Sequence, residues 1–418
     1  MKLLSSVWVL LTMLPLGLLP APGLSQRLPT ITEPVDSVYS TILEEQRFFY
    51  VHLPASYETN ASRRYPVVYL LDGEIQMANA VTVYENYYGG FLPEMILIGI
   101  SNQQHRTRDL TPTAITTKYG MPFREESGGS ERFTQFLEKE LIATVESKYR
   151  TTSYRTLAGH SYGGLFTIQT LLHHPELFAN YLAIDPSLDW DDQVTLNQAR
   201  SILTNENFKG KYLFMSLSGQ LHMQNPEVTI DNVREDTTDY TLFPRSNLSF
   251  ADLAHSSRDN NLTFDWQFYP DELHGTVVLP ALIDGLKSAF KWFQMENTSQ
   301  FNDPATKLDI IKSIVQHRTD KLKAHFGYPV APYPEEIFNM LGYMSQQMQD
   351  REKAKYYFSL AVQYYPFSTN AYDSLAEYYE GEGDFAQALE LMEKACALSD
   401  DAQLRQHRDA IRQKMGKK

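Results

Sequence analysis

"LAGHSYGGLFTIQTLLHHPE", Leu157 to Glu176, decides how this chain is read. Ser161 stands in a Gly-x-Ser-x-Gly pattern between Gly159 and Gly163. The apolar "YRTLAG" leads into it and the amphipathic "GGLFTIQTLLHH" leads out. A strand, a sharp turn and a helix in that order lift a serine hydroxyl above the edge of a sheet. The two glycines let neighbouring backbone approach the turn closely. A helix N-terminus beneath the serine favours negative charge next to it. The stretch therefore predicts a nucleophile rather than a polar turn.

The flanking segments predict the fold around that turn. "YPVVYLLDG" (Tyr65 to Gly73) and "MILIGISN" (Met95 to Asn102) are continuous apolar runs, as expected of strands covered on both faces. "FANYLAIDPS", "KYLFMSLSG" and "LTFDWQFYP" add three more strands. "SVYSTILEEQRFFYVHLPASY" reads as two antiparallel strands meeting around Glu44 to Gln46. Helix spacing marks Phe133 to Tyr149 and Leu279 to Phe293. Buried strands alternating with amphipathic helices predict an α/β fold with a mostly parallel central sheet.

A serine hydroxyl needs a base to take its proton. On this scaffold the chain order is serine, acid, histidine. His173 and His174 fall at the far end of the helix after Ser161, His222 comes too early, and His255 lies in a polar stretch. His274, after the last strand and before the last helix of the α/β part, is the expected base. The acid is expected in the loop after "KYLFMSLSG", where Glu227 is the first choice and Asp231 the next. Glu272 is near His274 in sequence but in a different loop, and a serine–histidine dyad without an acid stays open. An oxyanion hole needs backbone amides aimed at the developing charge. Tyr162, next after the nucleophile, and Gly73 or Glu74, after "VVYLLDG", are the expected donors. His160, Trp190 and Arg106 are the candidate substrate-pocket residues.

These segments together resemble the enterochelin-esterase-like, or esterase D-like, branch of the α/β-hydrolases over about residues 36–293. "RTRDLTPT" and the serine segment carry the resemblance most specifically, with "YPDELHGTVVLPALIDGLKSAF" behind them. Within the branch the chain is most similar to exported bacterial serine hydrolases of the salmochelin-esterase type. The resemblance implies an α/β-hydrolase fold and a carboxylic-ester hydrolase that works through an acyl-enzyme without metal or cofactor. It carries the nucleophile onto Ser161 and the base onto His274. The family's "PSLWW" falls on "PSLDW", with Asp189 in an apolar position. Anionic siderophore esters would call for basic pocket residues, and Arg106 and Arg108 are the evident ones, with pairing to Asp109 or another acid in the loop as their competing use.

After a linker, Gln294 to Thr306, the pattern turns helical and repeats. Units beginning at Glu335 and Thr369 lie 34 residues apart. Phe338 matches Tyr372, Leu341-Gly342 matches Leu375-Ala376, and Ala354, Phe358 and Ala361 match Ala388, Met392 and Ala395. This resembles the tetratricopeptide repeat, with flanking helices expected at about 305–325 and 402–414. Such a stack serves as a groove for a peptide or protein partner, as a structural cap, or in self-association.

The chain has 418 residues, 43% hydrophobic, with a formal net charge of −14. That charge argues against nucleic acid or an anionic membrane as a general partner. Lys2, the apolar run Leu3 to Leu19 and small residues before Gln26 read as a signal peptide, 1–25, and predict export to the periplasm or beyond. The expected division is a hydrolase domain at 26–297 and a helical domain at 298–418. The single cysteine, Cys396, excludes an internal disulfide and reads as helix packing. The rivals to a simple esterase are a siderophore trilactone esterase, an acyltransferase, and a binding module built on the repeats.

Overall fold

The computed structural model describes residues 32–58, 63–222 and 224–416, so the predicted signal peptide lies outside the described residues. Eight strands form one sheet: β1 Val35–Ser40, β2 Glu45–His52, β3 Tyr65–Leu70, β4 Ile96–Ile100, β5 Thr151–His160, β6 Asn180–Ile184, β7 Tyr212–Ser218 and β8 Thr263–Tyr269. Their order is β1-β2-β4-β3-β5-β6-β7-β8. From β4 to β8 all pairs are parallel, while β2 joins β1 and β4 antiparallel. This is the α/β-hydrolase arrangement expected from the sequence.

The covering helices follow in chain order. They are α1 Gly73–Tyr87, α2 Ser130–Phe136, α3 Ile142–Lys148, α4 Tyr162–His173, α5 Trp190–Asn205, α6 Leu242–Ser256 and α7 Val278–Ala289. A π-helical stretch, Leu137–Leu141, joins α2 to α3, so one continuous helical run stands where the spacing predicted it. Alternate residues of the central strands point to opposite faces. Tyr181 and Ala183 of β6 join the core under α2 to α6, whereas Leu182 and Ile184 join the core under α1 and α7. That double burial is why these strands read as unbroken apolar runs rather than alternating ones.

Six longer helices follow the short helical turn Thr298–Asn302: α8 Leu308–Phe326, α9 Glu335–Gln347, α10 Arg351–Tyr364, α11 Thr369–Gly381, α12 Phe385–Leu398 and α13 Ala402–Met415. The pairs α9–α10 and α11–α12 begin 34 residues apart. Small residues set their spacing: Ala354, Ala361, Ala388 and Ala395 are fully buried, and a Cβ on Gly342 would sit 2.6 Å from the Phe358 ring. Cys396, expected to pack, is only half-buried beside Ala395.

These helices are docked on the sheet side rather than tethered loosely. Leu322 and Phe326 belong to the same core as α1 and α7. Phe326 meets Tyr154 of β5 edge-on at 5.1 Å, His325 stacks on Trp292 at 4.1 Å, and Tyr328 donates to Thr152 at 3.0 Å. Buried Arg318 pins the linker by donating to the carbonyls of Phe293, Gln294 and Pro332. Phe326→Ala removes the central ring of this junction and is expected to cost about 3 kcal/mol. Urea unfolding checks it, and a drop below about 1 kcal/mol would show that the junction is not a packed core.

Candidate active site

Three non-glycine residues with left-handed backbone meet where β3, β5 and β6 end. Ser161 has φ 60 and ψ −116, Asp72 has φ 54 and Asp185 has φ 43. Such strain persists only where surrounding contacts over-determine it, and it gathers at functional sites. Here the Ser161 amide donates to the Ile184 carbonyl at 3.0 Å, and the Ser187 amide donates to the Ser161 carbonyl at 3.1 Å. Gly159 is required by the turn: a Cβ there would lie 2.3 Å from the Gly163 carbonyl oxygen. Likewise a Cβ on Gly164 would lie 2.9 Å from Pro186. The Ser161 hydroxyl lies 3.3 Å from Ser187 Oγ.

His274 comes from the loop between β8 and α7, as expected from the sequence. Its Nδ1 is 2.7 Å from Asp185 Oδ2. Asp185 is wholly buried; its Oδ1 accepts from the Ser218 amide at 3.0 Å, and its own amide donates to Ser216 Oγ at 3.1 Å. The carboxylate is therefore locked to β7 on one side and presents its other oxygen to the imidazole. With Nδ1 so engaged, Nε2 is the nitrogen left to exchange a proton.

The carboxylate that meets His274 is Asp185, and not the expected Glu227 or Asp231. Both of these are in an exposed loop, where Glu227 takes part in turn bonds with Asn225 and Asn232 through its backbone. The carboxylate arises one strand earlier, after β6, and the order serine, acid, histidine is kept. The signal was in view in "AIDPS": an aspartate at the end of a buried strand, directly before a proline.

The expected oxyanion donors sit on two converging helix N-termini. The first amides of a helix lack intrahelical partners, and Tyr162 opens α4 while Gly73 opens α1. A Cβ on Gly163 would lie 3.6 Å from Asp72 Oδ2, so the two ends abut. Gly73 is pressed against β4, where a Cβ would fall 2.3 Å from the Gly99 backbone. Glu74 turns its carboxylate away, to the Asn102 amide at 3.2 Å, and burial raises its pKa.

The three candidate pocket residues are each engaged within the protein. His160 Nε2 is 2.7 Å from the His274 carbonyl, and its ring lies 4.5 Å from the His274 ring. Burial, with the like charges of His274 and Arg106 beside it, lowers its pKa to about 4. Neutral His160 thus donates to the His274 carbonyl and braces that loop. Arg106 does not pair with Asp109. It donates twice to Asp72, at 2.8 and 2.9 Å, and once to the His160 carbonyl at 3.2 Å. Arg108 takes Asp109 at 2.7 Å, which accounts for part of the "RTRDLTPT" segment. Trp190 is buried and donates its indole N–H to Thr113 Oγ1 at 3.1 Å, with its ring against Tyr162 at 5.2 Å. Lys118, which the sequence did not single out, stands over that pair of rings.

Residues 40–229 match the family profile "Putative esterase". Among curated proteins, the chain is 32% identical over 208 residues to the ferri-bacillibactin esterase of Bacillus subtilis, covering 46% of this chain and 72% of that one. It is 31% identical to a siderophore enterobactin esterase of Emericella nidulans, covering 40% of this chain and 58% of that one. Among solved structures, an IroE-like serine hydrolase of Shewanella oneidensis aligns at TM-score 0.65 and 29% identity, covering 79% of this chain and 99% of that one.

Two outcomes follow from this packing. Gly159→Ala is expected to destabilise the protein by about 1–3 kcal/mol, because the added carbon overlaps backbone rather than a yielding side chain; thermal unfolding checks it. His160, lowered from 6.5 to about 4, binds fewer protons when folded than when unfolded over that range. Its contribution is therefore complete above the unfolded value and is lost as pH falls towards about 4. On the order of 3 kcal/mol is at stake. His160→Gln should flatten the fall in urea stability across that window, and an unchanged slope would contradict it.

Proposed function

Because this chain belongs to that esterase family and is a carboxylic-ester hydrolase, we propose that Ser161, His274 and Asp185 form its catalytic triad. The bond that carries this reading is His274 Nδ1 to buried Asp185 Oδ2 at 2.7 Å. Ser161 Oγ attacks the ester carbonyl as His274 Nε2 takes its proton. Asp185 holds the imidazole's orientation and offsets the imidazolium charge. The amides of Tyr162 and Gly73 receive the oxyanion. The imidazolium then gives its proton to the departing alkoxide, leaving an acyl-enzyme. Water, activated by the same histidine, releases the acid and restores the serine.

The charge at the site bears on the substrate. Arg106 is matched by Asp72 at 2.8 Å and Lys118 by Asp189 at 3.5 Å, so neither cation is left over for a polyanion. This favours an uncharged ester, such as a simple acyl or aryl ester, or the lactone of a siderophore free of iron. The siderophore esterases among its relatives motivate the lactone as the second substrate class. Export through the N-terminal signal, and a tetratricopeptide-like role for the paired helices as a partner surface, belong to the same reading.

Nitrophenyl ester hydrolysis by the mature protein tests the chemistry. Ser161→Ala and His274→Ala are expected to lose at least about 10³-fold in kcat, and Asp185→Asn about 10³–10⁴-fold. Glu227→Gln should keep the parental rate within about twofold. A Ser161→Ala variant that retains its rate would sink the triad. Faster cleavage of an iron-free trilactone than of its ferric complex is the expected sign of the charge argument, and the reverse order would overturn it.

A further inference from the structure

Beside the nucleophile lies a buried charge pair that the triad does not use. On one flank, Ser187 touches Ser161 through backbone and hydroxyl, and Asp189 follows two residues later. On the other flank, Tyr162 follows Ser161, and its hydroxyl is 3.3 Å from Lys118 Nζ. Lys118 sits on a small hairpin, Thr117–Lys118 paired with Met121–Pro122. The hairpin turns through Tyr119 and Gly120, both left-handed, with φ 51 and 72. The turn brings two adjacent side chains, Lys118 and Tyr119, to one place.

That place is Asp189. Tyr119 donates its hydroxyl to Asp189 Oδ2, and Lys118 Nζ lies 3.5 Å from the same oxygen. The ammonium also stands 5.2, 5.1 and 5.3 Å from the ring centres of Tyr119, Tyr162 and Trp190. Asp189 is 1% exposed in its side chain, and its Oδ1 has no hydrogen-bond partner among the described residues. Lys118 is 21% exposed in its side chain, so the cation's side chain meets solvent while the carboxylate does not. A buried carboxylate against an ammonium largely cancels the field a substrate would meet.

We propose that Asp189 is a specificity-determining residue: by cancelling the charge of Lys118 next to Ser161, it closes this subsite to esters carrying an anionic group. The inference rests on the esterase reading. Without Asp189's charge, the ammonium, held by three rings and by the Tyr162 hydroxyl, becomes an anion-binding group beside the scissile bond. Its two uses are then separable by one atom, since asparagine keeps the shape of Asp189 and an oxygen for Tyr119.

The experiment compares matched esters. On the acyl side these are 4-nitrophenyl butyrate and 4-nitrophenyl hemisuccinate; on the alcohol side, phenyl acetate and 4-carboxyphenyl acetate. In Asp189→Asn the ratio of kcat/KM for the anionic to the neutral ester is expected to rise at least about tenfold in one pair. The gain should shrink with salt and vanish in Asp189→Asn/Lys118→Met. Lys118→Met alone should move the ratio the opposite way, and it serves where the asparagine variant does not fold. No shift in either pair, or a gain that survives loss of Lys118, overturns the proposal. If the parent cleaves none of the neutral esters, it is the esterase reading that fails. Calorimetric binding of the same ester pairs to the same variants then reads the charge effect, and equal ratios there also overturn it.

Discussion

The Asp185 carboxylate is the contact on which the site depends. It is buried without exposure, it takes the Ser218 amide at 3.0 Å, and it meets His274 at 2.7 Å. One oxygen ties the end of β6 to β7, and the other reaches a histidine that arrives only after β8. A buried carboxylate left unpaired is strongly unfavourable, so the loop carrying His274 is held where that oxygen is satisfied. The left-handed backbone at Asp185 turns the chain sharply enough for Ser187 to reach back to the carbonyl of Ser161. Asp185, His274 and Ser161 are thereby held together by one short segment, Asp185 to Ser187.

A second theme is the pairing of the two cations described around Ser161. Arg106 closes onto Asp72, whose left-handed backbone opens α1, and it also takes the His160 carbonyl. The same ion pair thus steadies the loop that presents the Gly73 amide and the strand end that carries Ser161. Lys118 and Asp189 do the equivalent work from the opposite side, fastening a small hairpin over Tyr162 and Trp190. The result is a site that is rich in charged groups and yet nearly balanced. Balance matters because charges act most strongly where water is excluded.

The helical region shares its core with the sheet side that carries α1 and α7, not with the side that carries α4. Its contacts reach β5 through Tyr154 and Thr152, at the strand's beginning, whereas Ser161 follows the strand's end. The C-terminal helices therefore join the fold, through α8 and the segment after it, at the end of β5 opposite Ser161. Their 34-residue period is preserved by small residues at the helix contacts, which is a packing constraint and carries no chemistry of its own.

Much of this was legible in the chain. Unbroken apolar runs marked the strands buried on both faces, because β3 to β7 are covered by helices on either side. The strand–Ser161–helix turn, the position of His274 after β8, and the 34-residue helical period are local patterns, and a local pattern survives in the sequence. The partner of His274 did not, because a carboxylate is chosen by where strand ends meet in space. Asp185 follows β6, one strand further from β8 than Glu227 beyond β7, so strand order alone would favour Glu227; it is the bonds of Asp185 to Ser216 and Ser218 on β7 that hold its carboxylate within 2.7 Å of the imidazole. The same holds for Arg106 with Asp72 and for Lys118 with Asp189: pairing of charges is a tertiary matter, since Coulomb attraction acts through distance in the folded state and not along the chain. Sequence alone determined which groups could react; the tertiary structure decided which of them are held together.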